Sequence, residues 1–475
     1  MKIRTLLVLL LTGASLAAAV PDPPLAGRRP NVILIITDDQ GWPDFSCHGN
    51  PILKTPNLDR LHNEGTRFSD FQVSPTCAPT RAALLTGRHE FRSGITHTIE
   101  ERERLAPDAI TLADILKASG YTTGIFGKWH LGDQPDYWPS KRGYSEMFIH
   151  GAGGIGQSYP GSCGDAPGNS YFSPTILHNG TFVRTTGYCT DVFFAKAIAW
   201  MDALPRSQPF FAHIATNAPH APLHVRPDDE ARYRDKAPPQ TAKFFGMIAN
   251  IDDNVGRLLS WLASSGRERD TLVFFVTDNG GTAGLKTHHG GLRGSKGSPW
   301  QGGIRAAAFW RWPGTLRAQT VSTPAAHIDV LPTLAEICGA SLSPKASAQI
   351  EGRSLVPLLQ NPSAPWPNRT LVTHVGRWKR NGAADAKFST CAIRDSRWKI
   401  IRPSQQSPAW QLYDLQNDPA EAHDLASQHP DTVARLAADY ERWWDSIQPS
   451  LVNESAPVTG ENTFHTLYRA QFGGP

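Results

Sequence analysis

The run NVILIIT at residues 31–37 decides the fold of this chain, and it is followed directly by Asp38 and Asp39. All but its end positions are apolar and most are β-branched, which is typical of a central strand covered on both faces. Three more apolar runs end at polar clusters in the same way. They are 122–126 before GKWH (127–130), 209–216 before PHAP (219–222), and 271–277 before DNG (278–280).

Helical patterns separate these predicted strands. The segments 111–119, 190–204 and 241–265 carry apolar residues at helical spacing. Strands that alternate with helices predict an α/β fold with a largely parallel sheet, in which ligands bind beyond the carboxyl ends of the strands. We therefore expect the four polar clusters to converge on one rim.

The stretch SPTCAPTR at 74–81 places Cys77, Pro79 and Arg81 at positions i, i+2 and i+4. Proline suits the first turn of a helix because it has no amide hydrogen to leave unpaired, and Gly87 is a suitable stop. We expect Cys77 just before a helix N-terminus, where free amides and the helix dipole favour anions. A buried structural cysteine is the alternative interpretation.

This stretch resembles the maturation signature of type I sulfatases position by position, and further segments resemble other motifs of that family. The resemblance runs from about Asn31 to the C-terminal helix, and Gln301 departs from it because the family usually has Glu there. A second departure is AAA at 306–308, which lacks the usual Val-Pro. The matching segments are DDQG (38–41), GKWHLG (127–132), PHAP (219–222), TDNG (277–280), LRGSKG (292–297) and GGIR (302–305).

The resemblance implies an alkaline-phosphatase-like fold, with a large mixed, mostly parallel sheet flanked by helices and a smaller C-terminal α+β subdomain. It also implies that a maturation enzyme oxidises Cys77 to formylglycine, an aldehyde that acts as its hydrate. A formylglycine oxygen would then bind Ca²⁺ together with Asp38, Asp39, Asp278 and Asn279. The residue types agree, since hard oxygen ligands suit Ca²⁺ or, second, Mg²⁺. Tight turns or a helix cap are the alternatives for these polar pairs.

The same resemblance gives roles to the remaining site residues. Lys128 and Lys296 grip the sulfate oxygens, and Arg81 neutralises oxygen charge. His220, with Lys296, addresses the leaving oxygen as a proton donor. His130 assists the formylglycine hydroxyl, and Asp278 acts as the first base. The implied catalytic set is Cys77, Arg81, Lys128, His130, His220 and Lys296, acting on sulfate esters.

Composition and the N-terminus set further limits. The 475 residues contain 47 Lys and Arg against 43 Asp and Glu, a formal net charge of +4 without charge runs, so nucleic-acid binding has no support. Residues 1–19 have the charged start, short apolar run and small-residue end of a cleavable signal peptide. That run is too short to span a membrane. No lipoprotein cysteine follows it, so we expect a secreted or periplasmic protein.

The proline-rich stretch 361–367 predicts a boundary between a catalytic domain at 20–362 and a C-terminal subdomain at 363–475. In the subdomain, 391–401 and 410–415 are predicted strands of a small antiparallel sheet, and 423–444 is a predicted helix. Of the six cysteines, at least one stays unpaired if Cys77 is modified. Cys163 and Cys189 either pair or remain two separate thiols.

The segment GAGGIG at 151–156 matches a dinucleotide-binding pattern, but loop residues follow it where a helix is required. We interpret 150–171 as a flexible loop over the pocket. Five residues in and around such loops are weaker candidates for substrate contact, with solvated loop residues as the alternative. They are His150, Gln157, His178, His288 and His289.

Three functions remain open on the sequence. The first is a sulfatase acting on a sulfated carbohydrate or an aryl sulfate, and the predicted export and loop-rich rim favour the carbohydrate. The second is a phosphodiester or phosphonate hydrolase of the same superfamily, although Lys128, His130 and Lys296 together favour sulfate. The third is a non-catalytic sulfoglycan-binding relative, which would lack a catalytic group.

Overall fold

The run at 31–37 forms β1 in the middle of a ten-stranded sheet of the computed structural model, which describes residues 24–407, 409–457 and 460–474. The predicted signal peptide lies outside the described residues. The strands are β1 Asn31–Thr37, β2 Thr66–Phe68, β3 Phe71–Gln72, β4 Thr122–Lys128, β5 Glu146–His150, β6 Thr175–His178, β7 Thr181–Arg184, β8 Phe210–Ala215, β9 Thr271–Thr277, β10 Arg305–Ala306, β11 Ala308–Arg311, β12 Gln319–Val321, β13 Ala325–Ala326, β14 Leu371–His374, β15 Cys391–Arg394, β16 Trp398–Arg402 and β17 Gln411–Asp414. The helices are α1 Pro56–Glu64, α2 Cys77–Thr86, α3 Leu112–Ala118, α4 Cys189–Ala203, α5 Pro227–Ala231, α6 Pro239–Ser264, α7 Gln301–Ile304, α8 Val330–Ile337, α9 Pro344–Gln349, α10 Val356–Gln360, α11 Pro430–Ile447 and α12 Thr463–Phe472.

The main sheet has a parallel centre with antiparallel pairs on both sides of it. Its strand order is β12-β2-β11-β9-β1-β8-β4-β5-β6-β7. The five strands from β9 to β5 run parallel, whereas β11 and β6 pair antiparallel with their neighbours β9 and β5. This mixed, mostly parallel sheet confirms the predicted fold class.

Alternate residues of β1 enter two separate cores. Val32, Leu34 and Ile36 pack in one core with residues of α2, α3 and α8. Ile33 and Ile35 pack in the other core with residues of α1, α4 and α6. Each such side chain contributes roughly 1.5–3 kcal/mol by leaving water. Helices are therefore needed on both faces, which explains why the run is continuously apolar instead of alternating.

The three helices predicted between the strands are present as α3, α4 and α6. The start of α3 is fixed by a capping box between Thr111 and Asp114. The Thr111 hydroxyl accepts from the Asp114 amide at 3.1 Å, and the Asp114 carboxylate accepts from the Thr111 amide at 2.9 Å. The observed bounds lie within two residues of the predicted ones.

The strand order brings the four polar clusters together. β9, β1, β8 and β4 are consecutive neighbours that run in the same direction. Their carboxyl ends therefore share one edge, and the residues that follow them lie along it. The expected convergence on one rim is present.

The C-terminal part forms a four-stranded antiparallel sheet in the order β14-β15-β16-β17. The predicted helix at 423–444 is displaced, because α11 begins at Pro430. Proline disfavours helical backbone at the residue before it and is well suited to the first position of a helix, so the chain up to His429 stays irregular. α12 returns to the main sheet, where the Gln471 side chain donates to the Phe182 carbonyl of β7 at 2.7 Å.

The six cysteines are all free thiols. Cys163 accepts a hydrogen bond from the Gly153 amide at 2.9 Å, and Cys189 is buried at the start of α4. These two residues are thus separate thiols. No helix in the described part of the chain is both long and apolar enough to cross a membrane.

The C-terminal sheet is joined to the main sheet region by a buried ion pair. Both guanidinium Nη atoms of Arg394 donate to the Asp70 carboxylate at 2.8 Å. The Arg394 side chain is 2 % exposed and that of Asp70 is 24 % exposed. Such a bidentate pair fixes both position and orientation.

We expect Arg394→Ala to lower the free energy of unfolding by about 2–4 kcal/mol, because it leaves the Asp70 carboxylate unpaired in a largely buried position. Urea denaturation followed by tryptophan fluorescence measures the loss. Arg442→Ala removes an ion pair with Asp439 on α11 of the same subdomain, in which the Arg442 side chain is 70 % exposed, and should change stability little. Equal losses for the two variants would contradict the assignment.

Candidate active site

Cys77 is the first residue of α2, so the helix begins two residues before Pro79 and includes the cysteine. The side chain is buried, being 2 % exposed. Burial raises the pKa of the Cys77 thiol, but the neighbouring Lys128 and Lys296 ammonium groups outweigh burial and lower it. A group at this position therefore lies in a positive potential at a helix N-terminus, which favours an anion.

Asp38 and Asp39 from the end of β1 meet Asp278 and Asn279 from the end of β9. The Asp39 amide donates to Asp278 Oδ1 at 3.1 Å, and Asn279 Nδ2 donates to Asp39 Oδ1 at 3.0 Å. All four residues are at most 4 % exposed. The structure thus brings the four sequence-predicted metal ligands into one buried cluster.

Three cations pair with the three carboxylates of this cluster. Lys128 Nζ lies 2.6 Å from Asp38 Oδ2, Lys296 Nζ lies 2.6 Å from Asp39 Oδ1, and Arg81 Nη2 lies 2.8 Å from Asp278 Oδ2. The predicted sulfate-binding residues are therefore in contact with the predicted metal ligands.

The carboxylates differ in their electrostatics. Burial raises the pKa of Asp38 to about 6 against the opposing effect of Lys128, and burial with the nearby Asp38 raises the pKa of Asp278 to about 6. Burial also acts on Asp39, but Lys296 and then His220 hold its pKa well below the usual range. Asp38 and Asp278 thus have the greater need for additional positive charge.

Several polar atoms in the cluster lack protein partners. Asp38 Oδ1 and Asn279 Oδ1 are buried and accept no hydrogen bond from the described residues, and Arg81 Nε and Nη1 likewise donate none. Buried polar atoms without partners cost free energy unless a ligand binds them. The two oxygens, beside two further carboxylates, fit a hard divalent cation. The free Arg81 donors fit an anion.

The two candidate histidines present different nitrogens. His130 Nε2 donates to the Thr98 carbonyl at 2.8 Å, so Nδ1 carries the lone pair, and this buried Nδ1 has no partner among the described residues. Burial and then Lys128 hold the pKa of His130 well below the usual range. His130 is therefore a neutral ring with a free basic nitrogen.

His220 is oriented by its own loop. Its Nδ1 donates to the Ala221 carbonyl at 2.5 Å, which turns Nε2 to within 3.9 Å of Asp39 Oδ2. Burial lowers the pKa of His220, and Asp39 opposes this shift. The side chain is 12 % exposed, so Nε2 lies between the carboxylate cluster and solvent.

A cavity of about 240 Å³ opens beside Cys77. Three predicted catalytic residues, His130, His220 and Lys296, line it, as does Gln157, one of the weaker candidates. The predicted loop at 150–171 also contributes Gly153, Tyr159 and Cys163 to the lining. Four lining residues were not predicted from the sequence: His97, Thr98, Ile99 and Arg377.

The remaining weaker candidates do not line this cavity. His150 is the buried last residue of β5 instead of a loop residue. His178 Nε2 pairs with Glu146 Oε1 at 2.8 Å on the sheet margin. His288 and His289 lie in the loop after β9, outside the lining. Residues 151–171 contain no helix, in agreement with the loop interpretation.

Gln301 lies away from the chemistry. It lines a separate, larger cavity of about 630 Å³ between the catalytic domain and the C-terminal sheet, and Cys77 is not part of that lining. The backbone amide of Gln301 donates to Glu421 Oε2 at 2.7 Å. The size of this second cavity is therefore no argument for catalysis, because the reactive groups converge on the smaller one.

Comparisons with known proteins agree with this geometry. The family model "Sulfatase" matches residues 30–340, and the model "N-sulphoglucosamine sulphohydrolase, C-terminal" matches residues 299–442. N-acetylgalactosamine-6-sulfatase of Mus musculus is 32 % identical over 387 residues, covering 75 % of this chain and 70 % of the relative. Arylsulfatase A of Bos taurus is 30 % identical over 460 residues, covering 88 % and 85 %.

Solved structures extend the match to three dimensions. The crystal structure of Ps i-CgsB in complex with k-i-k-neocarrahexaose superposes with a TM-score of 0.80 at 29 % identity, covering 93 % of this chain and 97 % of the other. Phosphonate monoester hydrolase of Agrobacterium radiobacter gives a TM-score of 0.64 at 20 % identity, covering 89 % and 96 %, and shares the fold. With a family model that matches well over half of its length, this chain belongs to the sulfatase family and is a sulfuric ester hydrolase.

Proposed function

We propose that this sulfatase hydrolyses sulfate esters of carbohydrates, using a formylglycine made from Cys77 and a bound Ca²⁺. The observation that carries the proposal is the burial of Cys77 at the N-terminus of α2, beside lysines and beside guanidinium nitrogens and carboxylate and amide oxygens that have no partner in the described part of the chain. This arrangement offers separate places for an anion and for a cation around one side chain.

The carbohydrate class is supported by the relatives. One is named for the 6-sulfate of N-acetylgalactosamine, and a structural neighbour was solved with a neocarrahexaose. The cavity beside Cys77 also carries the exposed ring of Tyr159, a surface on which a sugar face can pack. We extend the proposal to export, on the predicted signal peptide.

Asp38, Asp39, Asp278 and Asn279 would hold the Ca²⁺, which when bound supplies positive charge to the oxygens of the sulfate and of residue 77. Mg²⁺ is the second candidate. Formylglycine as its hydrate supplies a nucleophilic hydroxyl and a second hydroxyl for release of the sulfate.

The chain's own residues orient and neutralise the sulfate. Arg81 keeps Nη2 on Asp278 and presents Nε and Nη1 to the anion. The ammonium groups of Lys128, from β4, and Lys296, from the loop after β9, add positive charge beside the same carboxylate cluster. Fixed positive charges in a water-poor site stabilise the charge that develops on sulfate oxygens during transfer.

Proton transfer is divided between two rings. His220 Nε2 faces the cavity near solvent, from which it takes up a proton, and Asp39 favours the charged ring that forms. The charged ring then donates this Nε2 proton to the leaving sugar oxygen and returns to its neutral form. His130, neutral and with a free Nδ1, accepts a proton from a hydroxyl at residue 77. Asp278 acts as the first base.

Of the three predictions that test the proposed function, the first concerns maturation of Cys77. When the protein is produced together with a maturation enzyme, mass spectrometry of the peptide containing residue 77 should show an aldehyde in place of the thiol. Cys77→Ala should abolish release of free sulfate because no nucleophilic oxygen remains. Cys338→Ala, which changes a buried thiol in α8's C-cap, serves as the control. Full turnover by a chain that retains the thiol would contradict the proposal.

The second prediction concerns the metal. A chelator first removes any bound metal. Adding back Ca²⁺ at about 100 times its Kd should then raise the free energy of unfolding by ~2.7 kcal/mol. The thermal midpoint measures this independently of activity. Asn279→Ala removes one oxygen ligand and should abolish the increase, whereas Asp202→Ala, at the end of α4, should retain it. A larger stabilisation by Zn²⁺ than by Ca²⁺ would argue against an oxygen-ligand site.

The third prediction concerns His220. A sugar alcohol is a poor leaving group and needs the proton, whereas a nitrophenolate leaves without one. His220→Ala should therefore lower kcat/KM about 10²- to 10⁴-fold for a sugar sulfate and far less for nitrophenyl sulfate. Equal losses on the two substrates would remove His220 as the proton donor. A phosphonate monoester, assayed in parallel, tests the alternative function that the superfamily resemblance leaves open.

A further inference from the structure

A loop of the C-terminal subdomain reaches the cavity beside Cys77. Arg377, three residues beyond β14, lines this cavity although it is far from the other lining residues in sequence. The Arg377 amide donates to the Thr96 carbonyl at 2.9 Å. A methyl group at the preceding Gly376 would lie 2.2 Å from that carbonyl oxygen. Close backbone contact therefore fixes where the arginine side chain starts.

The guanidinium is also oriented. Arg377 Nη2 donates to the Thr98 hydroxyl at 3.0 Å. Thr98 also accepts, through its carbonyl, the 2.8 Å hydrogen bond from His130 Nε2. One residue thus holds both the candidate catalytic ring and the Arg377 guanidinium, so the two are neighbours along the wall of one cavity.

No carboxylate among the described residues pairs with Arg377. Nearby arginines have carboxylate partners: Arg380 lies 3.2 Å from Glu101 and Arg102 lies 3.2 Å from Glu100. Arg377 is exposed and forms no ion pair with the described residues. The residues that line the cavity include no aspartate or glutamate. An unpaired guanidinium in a carboxylate-free cavity favours a second anion there.

We propose that Arg377 and Thr98 form a subsite for a second anionic group of the substrate, a sulfate or carboxylate carried by the saccharide beside the ester that is hydrolysed. The proposal rests on the proposed function and narrows its substrate class to polyanionic saccharides. Arg377 binds this second group and takes no part in the reaction, because the transferred sulfate is served by Cys77, Lys128 and Lys296. A guanidinium fork binds two oxygens of either group.

The experiment compares matched saccharides with the mature, full-length enzyme. One saccharide carries the hydrolysed sulfate alone, a second carries an added sulfate, a third carries an added carboxylate, and nitrophenyl sulfate reports the chemistry by itself. The variants are Arg377→Ala and Arg377→Lys. Lys379→Ala is the control, because Lys379 is an exposed cation of the same loop that does not line the cavity. Arg377 has φ 60°, and both replacements keep its Cβ, so they add no new backbone strain.

We expect Arg377→Ala to lower kcat/KM about 10- to 100-fold for the anionic saccharide that the wild type prefers, mainly through KM, as for loss of a charged hydrogen bond. The mono-sulfated saccharide and nitrophenyl sulfate should change less than about threefold, within the small effect of a distant exposed charge. Arg377→Lys should recover part of the loss, and Lys379→Ala should leave all substrates unchanged. Whether the sulfate or the carboxylate is preferred identifies the second group.

Any one of three results would overturn the subsite. The first is a wild-type enzyme with no preference for either dianionic saccharide. The second is an equal loss of kcat/KM on all substrates in Arg377→Ala, and the third is a loss in Lys379→Ala as large as that in Arg377→Ala. In each case sulfate release still proceeds, so the proposed function survives. Hydrolysis of nitrophenyl sulfate without hydrolysis of any saccharide would overturn the carbohydrate class and the subsite together. Failure on every substrate despite an oxidised Cys77 would overturn the proposed function, and the subsite with it.

Discussion

The pairing of buried charges at the carboxyl edge of the sheet is the constraint on which the rest of the site depends. Asp38, Asp39 and Asp278 are held by three cations that come from three different parts of the chain. Removing one partner of a buried pair costs about 3–5 kcal/mol, because the other charge stays unpaired away from water. β1, β4, β9, α2 and the loop at 292–297 are therefore tied to one another at this edge.

The same cluster is incompletely satisfied, which distinguishes it from a structural salt-bridge network. Arg81 uses one of its nitrogens on Asp278 while two remain free of partners among the described residues, and Asp38 keeps one oxygen in the same condition. Asp39 and His130 also adopt left-handed backbone angles, φ 67° and 60°. Local strain and unpartnered polar atoms cost stability, and they persist where a ligand or a reaction uses them.

The sequence predicted the centre of the fold well because the physics there is local. β1 and β9 have the bounds of their apolar runs, since a strand buried on both faces has no polar residue until it ends. The polar residues after these strands lie at one edge because the strands are parallel. The start of α11 was predicted seven residues too early. The prediction took the residues from 423 as helical, whereas Pro430 occupies the first turn of the observed helix. Arg377 was not predicted at all, because its place beside Thr98 depends on how the loop after β14 packs against the distant segment 95–100, and no local pattern encodes that.

Gln301 shows a second place, besides Arg377, where the C-terminal subdomain contacts the chain near the site. The contact at this position is made by the Gln301 backbone amide, which donates to Glu421, and the other carboxylate oxygen of Glu421 lies 2.6 Å from Lys399 Nζ. Lys399 also donates to the Pro299 carbonyl at 2.6 Å. The subdomain thus contacts residues 299–301, which lie just beyond the loop that carries Lys296.

The loop after β14 also brings Arg377 to the cavity. The predicted catalytic residues lie near the strand ends of the main sheet, on α2 and on the loop at 292–297, whereas the C-terminal subdomain adds Arg377 to the wall of the cavity. Changes in that wall can alter which saccharide fits while the buried charges stay as they are.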